Sequence, residues 1–239
     1  MEPGNAFDEI DRGAFNGLLA RYPNVVPSDL ADLERQRLHV IPEALHARKD
    51  GGLQKDKLVI LMDWKLSHGT FRPSLKKLIN ENDADDVRVI TTDAFEMYEK
   101  EPENIKEAIS QLCKLRGVGP ATASLILNCR DPNKIPFFSD ELFRWAFWND
   151  KSGWDQSIKY TAKEYLQLHT RVQELRKRLD VSALNIEKVA YVLGKTAIEP
   201  TVVTKPAKRS ASDVEAEDVT REIDKPSTRI RKSRKQNTK

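Results

Sequence analysis

The stretch Leu115-Arg116-Gly117-Val118-Gly119-Pro120-Ala121-Thr122-Ala123-Ser124-Leu125-Ile126-Leu127 joins two helical patterns by a very short turn. Gly117 can take the positive φ that ends the first helix. Gly119 lets a foreign backbone come close, and Pro120 suits the first turn of the second helix. Val118 plugs the gap between the helices, and Thr122 and Ala123 are small enough to let them cross tightly. The unpaired N–H groups at the start of the second helix, with the positive end of its dipole, make a site for a phosphate oxygen. Arg116, Gly117, Val118, Gly119, Ala121 and Thr122 are therefore candidate phosphate contacts. The plainer alternative is an ordinary helix hairpin with a glycine C-cap.

Moving outward, the body reads as helix nearly throughout. Phe7, Ile10, Phe15, Leu18, Leu19 and Tyr22 recur at three-to-four spacing, and Pro27-Ser28-Asp29 opens a second helix. Further helices are expected over 53–66, 71–79, 85–98, 105–115, 140–148, 157–179 and 186–197. The β-branched run Val87–Thr92 would suit a strand, but with no second strand to pair it, helix is the reading. The fold class is thus an all-α domain over residues 1–200, followed by a basic tail over 201–239. That tail holds Ser, Thr and charged residues and no aromatics. It cannot bury enough apolar surface to offset its ordering entropy and is expected to be disordered.

Charge follows the same division. Of 40 basic and 37 acidic residues, 11 and 6 lie in 205–239, which leaves 29 and 31 for residues 1–204. A body that coats nucleic acid by bulk charge is disfavoured, while local phosphate contacts are not. Lys205, Lys208 and Arg209 form one basic cluster of the tail, and Arg231, Lys232, Arg234 and Lys235 lie in a second. They read as a nuclear import signal, and hence a nuclear protein, or as a solvated tail.

Other classes are excluded more firmly. No apolar run is long enough to span a bilayer, and MEPGNAFDEI lacks the pattern of a secretory signal. Two cysteines, Cys113 and Cys129, argue against a disulfide scaffold or a four-cysteine metal site. His39, His46, His68 and His169 have no metal-ligand spacing, and no cofactor loop occurs, so neither metal nor cofactor is expected.

With its flanks, the bend resembles the helix-hairpin-helix motif Leu-x-Gly-Val-Gly-x-x-Thr-Ala of the base-excision DNA glycosylase superfamily, the group of endonuclease III and the adenine mismatch glycosylase. The resemblance covers residues 106–148. It implies a divergent DNA-repair protein that grips double-stranded DNA through main-chain amides, and a monomer is expected. After the loop Asn128–Ser139, Asp140 falls where the family places its catalytic aspartate, with Phe143 and Arg144 at the family's apolar and arginine positions. Bifunctional members carry a lysine at the position of Ala121, so Schiff-base lyase chemistry from there is excluded. The family's four-cysteine cluster is also absent. The implied activity is that of a monofunctional glycosylase, or of a member without catalysis.

A carboxylate at Asp140 would stabilise the positive charge that builds on the sugar as a base departs, and would orient water. Equally, Asp140 can serve only as a helix cap. Trp64, Phe138 and Trp145 are candidates for the wall of a base pocket, against the ordinary alternative of core packing. The cluster at residues 64–73 adds Lys65 and Arg72 as candidate phosphate contacts, or else forms a solvated corner. A DNA or chromatin binder without chemistry and a helical protein-interaction scaffold stay open as alternatives.

Overall fold

Capping residues and apolar spacing set out a chain of helices whose turns are short enough to force close packing. The computed structural model describes residues 1–198, apart from 3, 48–50 and 70–72. The import-signal residues and Arg72 lie outside the described residues. In chain order the helices are α1 Arg12–Leu19, α2 Tyr22–Val25, α3 Ala31–Arg35 and α4 Ile41–Ala47. They continue with α5 Lys55–His68, α6 Pro73–Asn80, α7 Ala84–Lys100 and α8 Ile105–Leu112. The last four are α9 Pro120–Arg130, α10 Asp140–Ala146, α11 Ala162–Leu179 and α12 Ala183–Ile198. Among the described residues there is no strand, so the architecture is all-α, and no helix is long and apolar enough to cross a membrane.

Val87–Thr92 lies inside α7, whose start is fixed by the Asp83 carboxylate accepting from Asp85 and Asp86 N–H. α11 begins at Ala162, later than the expected 157. A capping box sets that start: Thr161 caps the Glu164 amide, and Glu164 reaches back to the Thr161 N–H. Between α3 and α4 the helical path continues through a π-helical turn, Gln36–Val40. That extra residue turns Arg37 inward, where it is 1% exposed.

α9 is the central helix. Every residue from Ala121 to Cys129 is buried. The reason is that α4, α5, α8 and α11 all pack around it. Arg37 donates two hydrogen bonds to Glu187 on α12, at 2.7 and 2.6 Å, and one to Asn128 on α9 at 3.0 Å. A desolvated pair of this kind adds little against an apolar substitute, but losing one partner costs about 3–5 kcal/mol. It ties α12, which carries Lys195, to α9, whose start lines the site described next.

Candidate functional site

Gly117 and Gly119 play different parts. Gly117 has φ +76°, and a Cβ there would meet Leu78 Cβ at 2.9 Å and the Ile79 nitrogen at 3.2 Å. It must be glycine both for its conformation and for its approach to α6. Asn82, 6% exposed, clamps the same turn: its carboxamide donates to Arg116 O at 2.9 Å and accepts from Arg116 N–H at 2.8 Å. Gly119 has no need of positive φ, being extended at φ −106°, ψ −178°. A Cβ there would meet nothing within 4 Å, so the space before it is open.

Gly119 is the N-cap of α9, and no side chain caps that helix. Pro120 has no N–H, so the Ala121 and Thr122 amides are the first donors at the helix start. Val118, 6% exposed, fills the core beneath the turn.

The loop after α9 is sewn back onto it. Ser124 Oγ donates to Ala121 O and accepts from Phe138 N–H, both at 2.9 Å. Asn128 donates to Ile135 O at 2.7 Å. The chain therefore returns along α9 and starts α10 beside the α9 N-terminus. Ser139, the N-cap, accepts from Leu142 N–H at 3.2 Å. Capping thus falls to Ser139, and the Asp140 carboxylate is turned elsewhere. Its Oδ1 accepts from the Tyr160 hydroxyl at 2.6 Å, and its Oδ2 lies 3.8 Å from Arg144. Arg144 itself donates to Gln156 O at 3.1 Å.

These groups share one cleft of about 420 Å³. Gly117, Gly119, Ala121 and Thr122 line it on one side, and Asp140, Glu141, Arg144 and Tyr160 on another. Lys65, His68, Phe137, Phe138 and Lys195 also line it, with Gly69, Leu75, Pro120 and Ser139. The Glu141 carboxyl is pushed above its ordinary range, because burial disfavours its charge more than Lys195, 3.6 Å away, favours it. Gly194 makes room for it: a Cβ there would meet Glu141 Cγ at 2.6 Å.

Placement of the other candidates is mixed. Lys65 and Phe138 line the cleft. Arg116 lies outside its lining and pairs with Glu81 at 2.8 Å while largely exposed. Trp64 and Trp145, expected on a pocket wall, are fully buried and line no part of the cleft. The Trp64 indole donates to Glu34 at 2.6 Å, and the Trp145 indole donates to Asn5 O at 2.8 Å. Large rings with one polar atom are well used in a core when that atom finds a partner, and both do. Sequence reading passed over Tyr160, Glu141, Lys195, Asn82 and Ser124. Of these only the Tyr160 region carried a local sign, the Thr161–Glu164 box beside it.

No protein-family model, no curated protein and no solved structure matches the chain.

Proposed function

We propose that the protein binds double-stranded DNA at the turn 117–119 and hydrolyses an N-glycosidic bond, with Asp140 as the carboxylate at the reacting sugar. The observation that carries this reading is the shared cleft: the residues of an uncapped helix start and an acid held by a phenol line the same space. The amides suit a phosphate oxygen, and Lys65 adds a cation. Asp140 suits the developing positive charge of a departing base. A base must leave the stack to reach such a cleft. The resemblance of Leu115–Leu127 and Asp140 to the helix-hairpin-helix glycosylases supports the same reading. With Ala121 in place of a lysine, water is the nucleophile, as in a monofunctional glycosylase of base-excision repair. A nuclear protein, directed by the basic tail, belongs to the same proposal.

The test is a panel of lesion- and mismatch-bearing duplexes incubated with wild type and Asp140→Asn. Base release by wild type, with loss in the variant, supports the reading. Absence of release, or equal release by both, refutes the chemistry. A second reading, DNA binding without chemistry, draws on the engagement of both Asp140 oxygens by Tyr160 and Arg144. It predicts salt-dependent binding with no base release on any member of the panel.

A further inference from the structure

Two carboxylic acids stand side by side at the start of α10, and their surroundings differ. Asp140 has a partner at each oxygen, the Tyr160 hydroxyl at 2.6 Å and Arg144 at 3.8 Å. Glu141 lines the same cleft with 15% of its side chain exposed, and its nearest cation, Lys195, is 3.6 Å away, beyond hydrogen-bonding length. The Glu141 stem packs on α12 in the recess that Gly194 leaves. Its carboxyl is not sealed in: among the described residues no other group hydrogen-bonds either oxygen, and neither is a buried unpaired atom.

The charged and titratable groups around Glu141 are Asp140 and Arg144 on its own helix, and Lys195 and Tyr191 on α12. Burial chiefly, with the Asp140 charge adding to it, holds a proton on Glu141 above pH 4.5, against the pull of Lys195 and Arg144. Lys195, 37% exposed on the same cleft, then stands beside the carboxylate that forms when the proton leaves. Neighbouring carboxyls held in different surroundings can divide the roles of proton donor and charge stabiliser between them.

We propose that Glu141 is the acid of the reaction, giving its proton to the base as it departs, while Asp140 faces the sugar. This rests on the reading of the cleft as a glycosidic site. As the bond from C1′ to the base nitrogen breaks, its electron pair goes to the base, and the Glu141 O–H proton joins a ring nitrogen or carbonyl oxygen of that base. Water adds its oxygen to C1′, and the proton it sheds passes to Asp140 and, through solvent, returns Glu141 to its starting state.

The experiment is single-turnover base release by the full chain, between about pH 4.5 and 8, on every duplex of the lesion panel that wild type cuts. Wild type is expected to slow as pH rises and Glu141 loses its proton. Glu141→Gln has no proton to transfer. Its release at the acid end should fall by about 10²- to 10⁴-fold, and the decline with rising pH should vanish. Its melting temperature should equal or exceed that of wild type. Lys195→Met removes the cation that eases loss of the proton, so the decline should move to higher pH; if Glu141→Gln misfolds, this displacement decides alone. Undiminished release by Glu141→Gln, a decline that persists in it, or a decline left in place by Lys195→Met overturns the inference. Loss of release in Asp140→Asn with full release in Glu141→Gln keeps the glycosidic reading and removes this inference alone. A panel that wild type leaves uncut removes the glycosidic reading itself, and this inference with it.

Discussion

Tyr160 donates its 2.6 Å hydrogen bond to Asp140 from a strained backbone, with φ +56° in the left-handed region. A bulky side chain held there costs on the order of 1–2 kcal/mol, and such strain gathers where a side chain must be aimed. The capping box at Thr161 and Glu164 fixes the residues just after it. The tyrosine thus holds one carboxylate oxygen of Asp140, so the acid keeps a single orientation in the cleft. Tyr160→Phe should leave the fold and DNA affinity unchanged and slow base release about 10-fold, the scale of one hydrogen bond to a charged group. Single-turnover base release alongside duplex titration separates the two effects; a loss of affinity with an unchanged rate would contradict the positioning role.

The two glycines of the turn should part company on substitution. Gly117→Ala brings a Cβ within 2.9 Å of Leu78 at φ +76°, and is expected to cost about 1–3 kcal/mol in urea unfolding. Gly119→Ser places a capping oxygen in open space at an extended N-cap. It should hold or raise stability by a few tenths to about 1 kcal/mol, while the serine competes for the amides and weakens duplex binding severalfold. A Gly119→Ser protein with full affinity would mean that the α9 amides touch no phosphate.

Asn82→Ala removes both hydrogen bonds to the Arg116 main chain. Stranding those groups should cost about 1–3 kcal/mol. Duplex affinity should fall as well, since the turn loses its clamp. Denaturation midpoints and anisotropy on the same preparation check both; an unaltered affinity in a destabilised protein would separate the clamp from binding.

Glu141 gives a signed pH dependence. Its folded pKa lies above the ordinary 4.5, chiefly through burial. Between about 4.5 and that raised value the folded chain keeps a proton that the unfolded chain has lost, so this group's contribution falls as pH rises through the window. Glu141→Gln stays neutral throughout. Relative to wild type, its stability should therefore climb as pH is raised from about 4.5 through the raised value, then level off. Urea midpoints across that range decide it, and a flat difference would contradict the assignment.

Much of the frame could be read from spacing and caps, because those are local. The turn 115–120 and the start of α10 at Asp140 follow from a few neighbouring residues, whereas the helical state of Val87–Thr92 follows from the want of a second strand to pair it. What escaped was set by distance along the chain. Arg37 and Glu187 are 150 residues apart, and only packing brings them together. Tyr160 reaches Asp140 across 20 residues through a loop with no periodic pattern. The aromatics show the limit most clearly. Trp64 and Trp145 carry the same local signals as Phe138, yet only Phe138 lines the cleft, because hydrogen-bond partners at Glu34 and Asn5 hold the indoles in the core.

The central claim is that the amides of the turn and the acid beside them meet the same nucleotide. An amide NMR titration of the full chain with a duplex carrying one tetrahydrofuran site tests it most directly. The account predicts the largest shifts at Gly117, Gly119, Ala121 and Thr122, with Asp140 and Glu141 moving at the same duplex concentration. Shifts confined to residues 205–239, or a duplex that moves the turn and leaves Asp140 and Glu141 still, would contradict it.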